Sequence, residues 1–137
     1  MKKIYKTITA YNSGQLGPAK DICKLLKIQI DKNLKKSESK IWHGSPVWFL
    51  NGNPVVNYSV RKNGLVSLMF FSGQSFDEKK LQPEGTFKAA EIFYAHRNDV
   101  KIMELKKWLQ KAKNIQWDYK NIVKNKGKLY KVTEAKE

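Results

Sequence analysis

Arginine is nearly absent from this chain. Of 27 basic residues only Arg61 and Arg97 are arginine, and the other 25 are lysine. The planar fork that grips phosphate in two bonds and reads guanine edges is therefore missing from almost the whole sequence. Acid is scarce as well: 12 Asp and Glu leave a net charge of +15. Cysteine occurs once, at Cys23, which excludes an internal disulfide and points to a reducing compartment. Histidine occurs twice, at His43 and His96, in no HxxxH, HExxH or Cys/His spacing, so the zinc motifs are excluded. There is no GxSxG, no Cys/His pair and no phosphate loop with its glycines and lysine. Catalysis thus has no motif to stand on, and we assign no catalytic residue. No segment approaches the roughly 18 apolar residues of a membrane span. The opening "MKKIYKTITAYNSG" lacks the apolar run of a signal peptide. A soluble, cytoplasmic protein with no membrane partner is the expectation.

The 137 residues suit one domain, and a chain of this size buries roughly 68–70% of its unfolded surface without a disulfide or metal. The charge is distributed unevenly. Residues 1–40 carry ten Lys and three acids, a net of +7; residues 41–99 carry six Lys or Arg and five acids, a net of +1. Residues 100–137 carry eleven Lys and four acids, again +7. The excess sits on two flanks around a nearly neutral middle. Such a field favours anionic partners, although a lysine-rich, arginine-poor surface also serves solubility.

Gly17-Pro18 reads as a helix entry, since Pro fits the first helical position. Ile22, Leu26, Ile30 and Leu34 then recur every four residues, with Leu25 beside them, the stripe of an amphipathic helix. "KSESK" breaks the pattern. From Ile41 to Phe71 the period becomes two, and Asn51-Gly52 and Asn63-Gly64 are strong hairpin signals. The expectation is a meander of Val47–Leu50, Val55–Arg61 and Leu65–Phe71, with an edge or an irregularity near Pro54. "KAAEIFYAH" (Lys88–His96) reads as a later strand, after a long loop with at most one short turn of helix. A further helix starts near Asn98-Asp99, with Ile102, Leu105, Trp108, Leu109 and Ala112 on one face. "NIQWDYKNIVKNKG" suggests another helical stretch ending near Gly127. The class is α+β: an antiparallel sheet of four to five strands (meander plus a later strand), with an N-terminal helix and C-terminal helices packed on it. The expected core spans about 15–127, and the tail 128–137 frays.

Two-residue turns at both Asn-Gly pairs set Lys62 opposite Leu65, Val60 opposite Ser67, and Val47 opposite Val56. One face then holds Val47, Phe49, Val56, Tyr58, Val60, Met69 and Phe71, the natural core. The other holds Trp48, Val55, Asn57, Ser59, Arg61, Val66, Leu68 and Phe70. A mixed aromatic and polar face suits a shallow binding surface; the alternative is that another segment covers it.

On this reading the candidate site is a groove between "IWHGSPVW" and "SGQSF". Trp42 and Trp48 supply apolar contact, His43 and Gln74 hydrogen bonds, and Arg61 a counter-charge for a small anionic ligand or a protein partner. His43 precedes an expected turn at Ser45-Pro46; its alternative role is to pin that turn. "SGQSF" offers amides and hydroxyls, as an anion nest does. Asp77, Glu78, Glu84 and Glu91 match no cation-loop spacing. Nucleic-acid binding through the lysine-rich helices is a further alternative.

"IWHGSPVWFLNGNPVVNYS", "LMFFSGQSFDE", "LQPEGTFKAAEIFY" and "LKKWLQKAKNIQWDYKNIV" resemble the YdhG-like family of small bacterial α+β domains, from about Ile41 to Val123. The resemblance implies a compact antiparallel sheet with helices packed on it and no catalytic motif. Some relatives are described as frataxin-like iron chaperones. That role implies carboxylate-lined iron binding, for which His43, Asp77, Glu78 and Glu91 are the residues at hand.

Overall fold

A computed structural model describes residues 4–132. Two helices come first, α1 (Ile8–Ser13) and α2 (Pro18–Asn33). Six strands follow: β1 (Glu38–Trp42), β2 (Ser45–Leu50), β3 (Asn53–Val60), β4 (Val66–Phe70), β5 (Gln82–Pro83) and β6 (Ala90–Tyr94). The last helix is α3 (Ile102–Asn114). The strands form one antiparallel sheet in the order β1-β2-β3-β4-β6-β5. The α+β class and the helical stripe are as expected. The sheet has six strands because β1 adds an outer hairpin and β5 a short edge.

Gly17 takes φ +59 and Pro18 opens α2, a junction that needs both residues. Ile22, Leu26, Ile30 and Leu34 are all fully or almost fully buried. Helix α1 was not foreseen. Thr7 caps it, its hydroxyl accepting from the Ala10 N–H at 3.1 Å, and it brings Ile8, Tyr11 and Asn12 into the interior. α3 starts three residues beyond the expected cap. Asp99 instead closes a short 3-10 turn at Arg97–Asp99, accepting from the Ala95 and His96 N–H groups at 3.0 Å each. The donors, Ala95 first, hold its carboxyl below the usual range.

The assignment of sheet faces is corrected at two places. The corner at Asn51-Gly52 is a two-residue turn with φ +52 and +81, and Leu50 pairs with Asn53. One pair further on, the ladder slips: Phe49 faces Pro54, but Trp48 faces Val56. Val55 is the extra residue of a bulge beside the proline, the irregularity expected there. At Asn63-Gly64 only Gly64 has positive φ, at +86. The Arg61 N–H donates to Leu65 O at 2.8 Å, and the Gly64 N–H to Arg61 O at 2.9 Å. This is a three-residue corner, so Val60 pairs with Val66 rather than Ser67.

Each slip of one residue turns a strand over. The face under the helices therefore carries Trp48, Val56, Tyr58, Val60, Val66, Leu68 and Phe70, joined by Ala90, Ile92 and Tyr94 through the β4–β6 register. Met69 and Phe71 lie outside this core, contrary to expectation, and so do Val47 and Phe49. One hydrophobic cluster runs from Ile8 to Ala112. Each large side chain fully buried there contributes about 1.5–3 kcal/mol of transfer free energy. Cys23 lies inside it, and burial pushes its thiol up to about 12, so it is a packing residue and not a nucleophile at neutral pH.

The segment after α3 is not helical. Residues 115–132 run as extended chain and turns, with an isolated bridge between Trp117 and Lys131. Long-range hydrogen bonds hold the segment. Buried Asn53 donates to Gln116 Oε1 at 2.9 Å and Trp117 O at 3.0 Å, and accepts from the Lys120 N–H at 2.9 Å. Tyr119 donates to Phe71 O at 2.6 Å. The expected frayed tail is thus bridged at Lys131, and its residues 133–137 lie outside the described part. Among the described residues no helix is long and apolar enough to cross a membrane.

Candidate functional site

The five residues expected to share a groove do not come together. Trp48 is completely buried in the core, and its indole N–H donates to Asp31 Oδ1 on α2 at 2.8 Å. The bulge at Val55 is what turned it inward. Gln74 follows the opposite end of β4 from His43, and its amide donates to Phe87 O and Ala89 O at 2.9 Å each. It braces a loop. Arg61 is committed to Glu91 at 3.0 Å and lies over the Phe93 ring at 5.6 Å. His43 and Gly44 form the β1–β2 corner with φ +53 and +84, so the turn precedes Ser45-Pro46, which begins β2. His43 packs against Trp42 at 4.3 Å and lines a cavity of about 680 Å³ with Tyr5, Tyr11, Ile41, Ser45 and Ser59.

The serines of "SGQSF" are likewise occupied by the fold. Ser72 accepts from the Trp117 N–H at 2.9 Å, and Ser75 from its indole N–H at 3.0 Å. No anion nest is left free there. The four residues expected to serve iron do not gather at one place, and only Asp77 and Glu78, consecutive in the chain, are neighbours. Glu78 binds Lys111 at 2.6 Å and Lys107 at 3.1 Å, and chiefly the Lys111 ammonium holds its carboxyl down at about 2, against the opposing effect of burial. Glu91 accepts from Arg61 and from Ser67 at 2.8 Å. Asp77 takes φ +59 in the loop, and His43 is in its corner at the sheet end. No three His, Cys, Asp or Glu side chains gather into a metal-holding group among the described residues.

A different constellation forms where both long helices end. The last turn of α2 brings Lys32. Leu34 stops the helix, its N–H donating to Ile30 O at 2.8 Å and its carbonyl accepting from the Ser37 N–H and hydroxyl. That reversal places Lys35 and Lys36 beside the helix end. α3 lies against α2 and adds Gln110 and Lys113 from its last two turns, with Gln116 just beyond. The Asn51 corner and Leu50 close the fourth side. Together these line a cavity of about 580 Å³, within the range of ligand pockets.

Among the described residues no carboxylate lines this cavity. Lys32, Lys35, Lys36 and Lys113 have no hydrogen-bond or ion-pair partner among the described residues. Lysine is favoured at helix C-termini because it offsets the exposed carbonyls. The magnitudes decide how far that accounts for the site. Two helix ends supply roughly half a negative charge each, against four ammonium groups, so about three positive charges stay unbalanced. The amides of Asn51, Gln110 and Gln116 supply uncharged hydrogen-bonding groups around them.

A second cavity, of about 390 Å³, adjoins the first and shares Leu50, Asn51 and Gln116 with it. Lys120, Lys131 and Tyr130 line it, with Asp118 and Asn121. Asp118 accepts from the Asn121 amide at 2.9 Å, and Lys120 donates to Asn51 O at 3.0 Å. None of these residues was assigned to the candidate groove from sequence; Leu34 and Asn51 were read for their helix and their turn. The only linear signal was the +7 on each flank; Lys32 and Lys113 are too far apart in the chain for any motif to join them.

No protein-family model, curated protein or solved structure matches this chain.

Proposed function

We propose that this chain is a YdhG-like binding domain that takes a small anionic ligand, of the phosphate or polycarboxylate kind, in the lysine-lined cavity at the ends of α2 and α3. One observation carries the reading. Among the described residues, four lysines without ion-pair partners surround a cavity with no carboxylate in its wall. Like charges held together are a cost that an anion relieves, and partly enclosed walls strengthen the attraction over its value in bulk water. Leu34 and Leu50 add apolar contact, and the amides give orientation.

Calorimetric titration with sodium tripolyphosphate at low salt tests this. The expected Kd is tighter than about 1 mM, or −4.1 kcal/mol. The double substitution Lys36→Glu with Lys113→Glu, both at exposed positions, removes the heat while the folding transition stays in place. Absence of heat with the unaltered protein, or equal heat with the variant, overturns the reading.

A further inference from the structure

The two cavities lie side by side at the Asn51-Gly52 corner, with Leu50, Asn51 and Gln116 as their common wall, and together offer a track along the surface. Lys32, Lys35, Lys36 and Lys113 lie on one side of the shared wall, and Lys120 and Lys131 on the other. A single phosphate engages two or three ammonium groups; six over two adjoining cavities, against the one carboxylate of Asp118, leave enough positive charge for a chain of phosphates. The second cavity adds Tyr130, a residue 53% exposed. An aromatic ring left half in water between lysines on a charged track has the form of a base-stacking platform. Its backbone is anchored: the Asp118 N–H donates to Tyr130 O at 2.7 Å, and Lys131 bridges to Trp117. The ring is therefore presented from an ordered segment.

We propose that the occupant of this track is single-stranded nucleic acid, bound without sequence preference. The proposal rests on the anion-binding reading above and names its ligand class. Lysines along the track meet the backbone, and Tyr130 stacks on a base. The track holds no arginine, so the two-bond contact that selects guanine is missing and any sequence is accepted. A duplex keeps its bases stacked on one another and gives Tyr130 no free face, so the single strand is preferred.

Fluorescence anisotropy with labelled 12-mers of oligo(dT) and oligo(rU), and a mixed-sequence duplex of equal length, tests this with the full chain. Both single strands bind, the duplex more weakly, and log K falls against log salt with a slope of about −3 to −4 if four to six phosphates are neutralised. Tyr130→Ala weakens the single strands roughly tenfold or more and leaves tripolyphosphate binding unchanged. Lys131→Glu also weakens the single strands and spares tripolyphosphate, whereas Lys35→Glu with Lys36→Glu weakens both. Tripolyphosphate binding without oligonucleotide binding overturns the proposal and leaves the anion reading standing. Loss of both overturns both. Equal single-strand and duplex affinity, or no effect of Tyr130→Ala, overturns the stacked single-strand mode. All four positions are exposed, and circular dichroism of each variant verifies that the fold is retained.

Discussion

The chain turns twice at an Asn-Gly pair, and the two corners are not alike. At Asn51-Gly52 both residues take positive φ, and the flanking strands join directly. At Asn63-Gly64 only the glycine does, Lys62 enters the loop, and Arg61 pairs with Leu65. The same dipeptide thus closes a two-residue and a three-residue hairpin. A type I turn with glycine in the left-handed position and a type I′ turn lie close in energy, so the neighbours decide. At the second corner the three-residue form directs Val66, Leu68 and Phe70 to the face already held by Val56 and Tyr58. The two-residue form turns those three apolar side chains to the open face. The two-residue form buries Ser67, Met69 and Phe71 in their place, so the gain lies mainly in Val66 standing inside where Ser67 otherwise does, about 1–2 kcal/mol, enough to decide between turns close in energy.

The sharpest way to test the inversion is to truncate tryptophans on either side of the sheet. Trp48→Ala removes a fully buried ring that touches Tyr58 at 5.6 Å and bonds Asp31. It is expected to cost about 3–5 kcal/mol. Trp42→Ala removes a ring 36% exposed that packs on His43 and Phe49, at under about 1.5 kcal/mol. Urea unfolding of both variants measures the difference; equal costs would restore the register without the bulge at Val55.

The corners themselves give the next largest effect. Gly64→Ala meets no atom within 4 Å, so its cost is that of φ +86 alone, about 1–2 kcal/mol. Gly52→Ala bears the same cost at φ +81 and must also displace the Lys120 side chain, 3.1 Å from the new methyl. Asn51→Ala strains a residue at φ +52, by about 1 kcal/mol. Asn63→Ala loses only an exposed bond from the Leu65 N–H at 3.1 Å, worth about 0.5 kcal/mol. Thermal unfolding should rank the costs Gly52, Gly64, Asn51 and Asn63 from largest to smallest. An Asn63 cost equal to that of Asn51 would mean that both corners are of one kind.

Glu78 gives the smallest effect and extends the comparison from the corners to a contact that no local signal foretold. Its carboxyl is held at about 2 in the folded protein against an ordinary 4.5. The stabilisation is complete above about pH 4.5 and is lost as the pH falls toward 2. Glu78→Gln should lower stability at pH 7 by under about 1 kcal/mol. The gap between variant and parent should close on acidification from pH 4.5 to 2, in denaturation curves taken across that range.

The helical stripe, the Gly17-Pro18 entry and the Asn51-Gly52 corner were legible because each is a local matter, settled within a few residues. Helix α1 was missed because its six residues show less than two turns of periodicity, and Thr7 was the sole signal. The stretch 115–127 looked helical by composition, yet its polar groups find better partners in Asn53, Ser72 and Ser75. Of the candidate site, only the positive charge of the flanks was visible. Trp48, Arg61 and Gln74 had the right chemistry for a ligand, but the fold uses each for its own bonds.

By itself the sequence determined the class of fold, the two long helices α2 and α3 and the sign of the charge, because spacing, turn chemistry and composition are properties of neighbours along the chain. The tertiary structure alone decided which sheet face is dry and where lysines gather. Register depends on one residue inserted at a corner or a bulge, and a charge cluster depends on two helices ending side by side. Both are set by burying the most apolar surface across strands and helices distant in sequence, a sum that no short stretch contains.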